Sequence, residues 1–152
     1  MKATDVLISQ HMFLRATFDE IERAMPDAKT CAEISAFARI AQGLLLDHAE
    51  GEETLLFAAL DKKEKDKGKL THFHTNHWEC ISLLKQAREA WSVMEAKSLL
   101  SMSMRRLRDH FCDEERAVVA LAEKQFQPES LEQLGKAWMD RHPASESPPS
   151  AK

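Results

Sequence analysis

Four helix-length stretches of this chain carry an apolar residue every third or fourth position, and in each the apolar line is broken by histidine. A line of that period is one face of an α-helix, because residues four apart stack on the same side. Helices with a single apolar face must bury it against one another, so the pattern predicts an all-α bundle. The first stretch runs from about Thr4 to Met25 with Leu7, Leu14, Phe18, Ile21 and Met25 on its line. Thr4 is the expected N-cap, and Met25-Pro26-Asp27 the stop, since proline disfavours helix in the residue before it. The second runs from about Thr30 to Leu60 with Ile34, Phe37, Ala41, Leu44, Leu45, Leu55, Leu56 and Ala59. The third, about Leu70 to Met94, carries Leu70, Phe73, Ile81, Leu84 and Trp91. The fourth, about Ala96 to Phe126, carries Leu100, Leu107, Val118 and Leu121. The short connections favour antiparallel neighbours, hence an up-down-up-down four-helix bundle. A short fifth helix, Glu129 to Arg141, presents Leu131, Leu134 and Trp138 and is expected to pack across one end of the bundle rather than dock a partner.

One domain over residues 1–141 is therefore expected, with a Ser- and Pro-rich tail, 142–152, lacking fixed structure. The mixed-sign run Asp61–Lys69 is expected to be a solvated turn. Only 4 Gly and 5 Pro interrupt 152 residues rich in Ala, Leu, Glu, Lys, Arg and Met, which suits long helices. A net charge of -4 and a pI near 6.0 argue against a nucleic-acid surface. No stretch reaches the roughly 18 apolar residues a membrane span requires, and the start, MKATDVLISQH, has no apolar run. Cytoplasmic localisation, without membrane or nucleic-acid partners, is the expectation. The three cysteines, Cys31, Cys80 and Cys112, form no C-x-x-C pair, so reduced and mostly core-facing thiols are expected rather than disulfides or a thiolate zinc site.

The polar residues that break the apolar lines carry the chemistry. His11 falls between Leu7 and Leu14; His48 follows Leu44 and Leu45; His77 lies in line with Phe73, Ile81 and Leu84; His110 follows Leu107 by three. Two of the helices repeat His-x-x-x-Glu-Glu, at His48–Glu53 and His110–Glu115. In each copy the first glutamate, Glu52 or Glu114, shares the histidine's face, and Glu114 is also on the line with Val118. Glu53 and Glu115 are turned aside, towards the surface or the outside of the site. His74 lies just beside the third line and His72 falls away from it.

Burying such a set unpartnered is expensive: an unpaired carboxylate costs several kcal/mol, and each polar group without a hydrogen bond about 1–3 kcal/mol. One core histidine is ordinary, and so is one His-x-x-x-Glu on a surface helix. Four inward histidines with two inward glutamates, spread over all four helices, point to metal. Imidazole and carboxylate without thiolate suit iron, manganese or zinc. Six or seven ligands exceed the four of a tetrahedral zinc and suit two octahedral ions, which have about twelve positions. Bridging glutamates would fill four, the histidines four or five, and a shared oxo or hydroxo group two, leaving one or two for a small ligand.

These residues resemble the hemerythrin-like, or HHE cation-binding, family, with a match from roughly Asp5 to Gln127. The family pattern is His on the first helix, His-x-x-x-Glu on the second, His on the third and His-x-x-x-Glu on the fourth. It is met here by His11, by His48 with Glu52, by His77, and by His110 with Glu114. The resemblance implies a four-helix bundle holding two iron ions. Oxygen-carrying members have two third-helix histidines spaced by four; here Phe73 stands four before His77, and His74 is displaced by one. His74 is thus either a further ligand or an outer hydrogen-bond donor. In the carriers the fourth-helix carboxylate lies five after its histidine, which would select Glu115; the wider HHE pattern selects Glu114.

The resemblance implies binding of O2, or of a related diatomic such as NO, for storage, delivery or sensing. The competing expectations are an enzyme acting on NO or peroxide, an iron donor in repair of iron centres, and an interaction module merely braced by its metals. An enzyme would need a separate reductase, because no flavin, haem or iron–sulfur motif is present. Repair-type members carry an additional Cys-bearing N-terminal domain, whereas this chain opens on its first helix.

Overall fold

A computed structural model describes residues 1–63 and 68–142, and every regular element among them is helical. Helix α1 spans Ala3–Ala24 and ends in one 3-10 turn, Met25–Asp27, at Pro26. It begins before the expected cap: the Lys2 backbone N–H donates to Asp5 Oδ2 at 2.9 Å. Thr4 is instead buried in the first turn, donating to Glu123 Oε1 at 3.0 Å. Helix α2, Cys31–Gly51, opens on a capping box in which Glu33 N–H donates to Thr30 Oγ1 at 3.2 Å and Thr30 N–H to Glu33 Oε2 at 2.8 Å.

Past Gly51 the helix widens into a π-helical turn, Glu52–Phe57, before regaining α geometry as α3, Ala58–Lys63. The wide turn shifts the register. Leu56, Phe57 and Leu60 are fully buried there, whereas Leu55 and Ala59, expected on the apolar line, are only half-buried. The charged run expected to form a turn therefore starts inside a helix, since Asp61–Lys63 belong to α3. Residues 64–67 of that run, like residues 143–152 of the tail, lie outside the described residues.

Helix α4, Thr71–Glu89, stops before Trp91, which is 97% exposed rather than on the core line. The reason is the next helix. Ser92 caps α5, Val93–Gln125, by accepting from Glu95 N–H at 3.1 Å, and this holds Ser92 in extended backbone. Helix α6, Pro128–Met139, places Pro128 in its first turn, where a missing N–H is harmless. It runs against α1, the π turn and α5. Of the cysteines only Cys80 is buried; Cys31 is half-buried and Cys112 exposed, so the core-facing expectation holds for one of three. No helix among the described residues is long and apolar enough to cross a membrane.

The interior consists of two apolar layers. One contains Leu14, Phe18, Leu45, Leu84 and Leu107. The other contains Leu7, Leu56, Phe73, Val118 and Trp138. Each long helix passes from one layer to the other, and at the crossing it places its buried histidine: His11, His48, His77 or His110.

Two glycines make the packing testable in opposite directions. A Cβ on Gly135 would lie 2.4–2.8 Å from backbone atoms of Met1, Lys2 and Ala3, whereas one on Gly43 would meet nothing within 4 Å. Gly135→Ala should cost about 1–3 kcal/mol through overpacking of α6 on α1. Gly43→Ala should add about 0.5–1 kcal/mol by restricting the unfolded chain in mid-helix. Urea denaturation followed by circular dichroism separates the two; equal midpoints would contradict the described docking of α6.

Candidate metal centre

Between the two apolar layers α1 supplies His11, α2 His48, the first residue of the π turn Glu52, α4 His77, and α5 His110 and Glu114. All six are at most 3% exposed. Glu114 lies nearest the middle: His110 Nε2 is 2.8 Å from its Oε1, His77 Nε2 is 3.8 Å from the same oxygen, and His11 Nε2 is 3.3 Å from Oε2. Glu52 Oε2 is 3.6 Å from His77 Nε2 and 4.0 Å from His48 Nε2. His48, Glu52, His77 and Glu114 each offer an atom within 4.8 Å of all the others, a group able to hold a metal ion. None of these four Nε2 atoms and neither oxygen of either carboxylate has a hydrogen bond of acceptable geometry.

The other side of each imidazole is occupied. His48 Nδ1 is 2.9 Å from Gln10 Oε1, and His11 Nδ1 is 3.0 Å from Glu115 Oε1, which also accepts from Arg15 Nη1 at 2.7 Å. His77 Nδ1 is 3.4 Å from Glu53 Oε1, and His110 Nδ1 is 3.5 Å from the Asn76 amide. The Gln10 and Glu53 oxygens can only accept, so Nδ1 of His48 and His77 carries the proton and Nε2 turns a lone pair inward, whereas His11 has a carboxylate at each nitrogen. The Nε2 lone pairs of His48 and His77 thus face the Glu52 and Glu114 carboxylates acceptor to acceptor, while His110, whose Nδ1 faces the Asn76 amine, turns an N–H towards Glu114. A cation in their midst satisfies all of them at once, so the donor set fits a metal. An outer partner on each Nδ1 is also how ligating histidines are held in orientation.

The titration behaviour has the same origin. Burial, reinforced by repulsion from Glu114, pushes the Glu52 carboxyl well above the carboxylate range. Burial acts on Glu114 too, but contact with His11 and His110 outweighs it and holds Glu114 well below that range. Burial and the neighbouring imidazole of His11 pull His48 well below its usual value. Burial likewise pulls His77 down to about 4. Charge is thus disfavoured on the imidazoles of His48 and His77 and on the Glu52 carboxyl.

The remaining residues singled out by the sequence lie around this layer. His74 is at its edge, with its side chain 33% exposed, Nδ1 3.4 Å from Glu53 Oε1 and its ring edge-on to Phe57 at 4.9 Å. It stands outside the group formed by His48, Glu52, His77 and Glu114. His72 is exposed and packs on Phe73. Gln10, Asn76 and Phe111 were not singled out by the sequence. Phe111 stacks on the His11 ring at 4.2 Å. Gln10 and Asn76 each directly precede an inward histidine, a cue too general to have found them. The paired glutamates, by contrast, carried a usable signal. The second of each pair reaches a histidine on another helix, Glu53 to His77 and Glu115 to His11.

Comparison with known proteins agrees with this arrangement. No curated protein and no solved structure matches the chain. The family description that does match, over residues 2–122, is the hemerythrin HHE cation binding domain, and the match includes all six inward-facing His and Glu residues. With most of its length matched, the chain belongs to the hemerythrin HHE cation-binding family.

Proposed function

We propose that this protein holds two iron ions between its helices and binds O2 or a related small ligand there, for storage, delivery or sensing. The observation that carries the reading is the set of eight buried polar atoms without hydrogen bonds, on His11, His48, Glu52, His77, His110 and Glu114. Leaving them so would cost about 1–3 kcal/mol apiece, more than a domain of this size can lose. We assign these six residues as ligands. Two carboxylates offering both oxygens and four imidazoles would supply eight donor atoms towards the about twelve positions of two octahedral ions. That balance leaves room for a bridging group and a small ligand, and exceeds what one zinc requires. We place His74 outside the ligand set, sharing Glu53 with His77. Bound iron would supply the affinity for a diatomic; the chain's own residues orient the imidazoles and exclude water with Phe111, Phe73 and Trp138.

An up-down-up-down order within a single unit, residues 1–141, accords with this reading. Along the chain α1 passes from the Leu7 layer to the Leu14 layer, α2 with its π-turn continuation from Leu45 to Leu56, α4 from Phe73 to Leu84, and α5 from Leu107 to Val118. The direction alternates at each helix.

Iron loaded without oxygen should reach about two ions per chain, as the ligand number implies. His48→Ala and His110→Ala should each reduce the metal content sharply, and His72→Ala should not; equal content in all three overturns the ligand set. Purified protein retaining one zinc and no iron overturns the di-iron centre.

Loading within the raised titration range of Glu52 should also release protons, because the cation displaces the one that carboxyl holds there. Raised Glu52 keeps its proton against the metal to higher pH than an ordinary carboxyl, while lowered His48 and His77 lose theirs at lower pH than an ordinary imidazole. Apparent affinity should therefore rise with pH, and fall steeply towards about 4, where His77 takes a proton. A pH-indicator dye in weak buffer reads the release; loading without proton release contradicts the assignment of Glu52.

The ligand itself is tested optically, by titrating the ferrous protein with O2, then NO, then peroxide. Reversible O2 bands are expected. Steady turnover of NO or peroxide with no stable adduct would replace binding with catalysis.

A further inference from the structure

We infer that α6 is a latch over the metal centre, and that Trp138, laid on Gly51 beside His48, sets how slowly the bound cation escapes. The inference rests on the di-iron reading above. Helix α6 begins after the residues matched to the family domain, 2–122, and contributes no ligand. It packs mainly on α1, but its C-terminal end also reaches the stretch Asp47–Gly51, which carries the proposed ligand His48 and leads into Glu52.

Gly51 lies within that stretch. A Cβ there would sit 2.2 Å from Trp138 Nε1 and 2.3 Å from Arg141 Nη1, so only the bare backbone admits the indole. Trp138 is 2% exposed and its ring lies 6.5 Å from the His48 ring, tilted by 31°. Its Nε1 is buried without a hydrogen-bond partner, so the indole is held for its bulk, at the expense of its N–H. Beyond the indole, Arg141 Nη2 donates to Glu50 Oε2 at 2.8 Å and Nη1 to the Asp47 carbonyl at 3.3 Å. His142 Nε2 is 2.6 Å from Asp47 Oδ1. The residues on both sides of His48 are thereby tied to the end of α6. One turn before the indole, Gly135 lies equally closely against the backbone of Met1–Ala3.

A cation leaves a protein site when a ligand swings away and water replaces it. With Trp138 in place the swing of His48 is restrained on its α6 side: the indole packs on Gly51 beside the imidazole, and Arg141 and His142 hold the backbone that carries it, while the cavity bounded by Gln10, Phe13, Leu44 and Asp47 reaches His48 from another side. Supports of this kind typically change metal affinity by about 10–100-fold, and here the effect should appear in the release rate.

The test uses the full chain loaded with ferrous iron without oxygen, and follows iron transfer to a chromogenic chelator in excess. Trp138→Ala should release iron about 10–100-fold faster. Trp138→Phe, which restores a ring, should remain close to the unmodified protein. Gly51→Ala leaves every α6 side chain present but displaces the indole, and should release iron as Trp138→Ala does; it keeps the test open if Trp138→Ala fails to fold. Leu131→Ala is the control, a fully buried α6 residue in the same apolar layer. It should lower the melting temperature of metal-free protein without speeding release. Release from Trp138→Ala and Gly51→Ala at the unmodified rate overturns the latch, as does equally fast release from Leu131→Ala. Unmodified protein that takes up no iron overturns the di-iron reading itself, before any variant is compared.

Discussion

Two carboxylates, with the Nε2 lone pairs of His48 and His77 turned towards them in a buried layer, repel unless positive charge stands between them. Most of what is distinctive in this bundle serves to hold that repulsive set together. The apolar layers on either side supply the cohesion, with Leu45, Leu84 and Leu107 above it and Leu7, Leu56 and Val118 below. Outer partners turn each Nδ1 away from the interior, which forces Nε2 towards it. Protonation of Glu52 relieves part of the strain when no cation is present. The site is thus arranged for a ligand's convenience and against the stability of the empty fold, a conflict that proteins tolerate at functional places.

Much of this was legible in the sequence, and the reasons are specific. Inward faces could be assigned for His11, His77 and the two His-x-x-x-Glu pairs because each falls within an otherwise apolar line of helical period. The structure brings those six residues together. The π turn was not legible. Residues Leu55–Leu60 are uninterrupted apolar, so any helical face through them looks buried and no period reveals which hydrogen-bond register is used. Trp91 misled for a related reason: its size suggests a core position, but the backbone there is committed to capping α5 through Ser92 and Glu95. Gln10 and Asn76 left no trace, since a neutral polar residue flanking a core histidine has no periodic signature.

The paired glutamates show how a short motif can serve two tasks. Within each copy one carboxylate enters the interior, and the next, about 100° further round the helix, reaches the outer nitrogen of a histidine belonging to another helix. Glu115 holds His11 and is itself held by Arg15, with burial opposed by these two contacts to keep its carboxyl below the ordinary range. Glu53 stands between His74 and His77. Each copy of the motif therefore helps to assemble the site both directly and through a neighbouring helix, which couples the helices to one another.

The two copies are identical in letters but not in their mountings. Glu114 belongs to an unbroken α-helix of 33 residues, gripped by the ordinary tight ladder along its whole length. Glu52 opens a turn whose closing bond runs five residues back, from Ala58 N–H to the Glu53 carbonyl, a looser winding that α-helices adopt only locally. One inward carboxylate is set in a stiff beam and the other on a spring. A change in size or charge at the centre of the layer meets a looser hydrogen-bond ladder on the Glu52 side than on the α5 side.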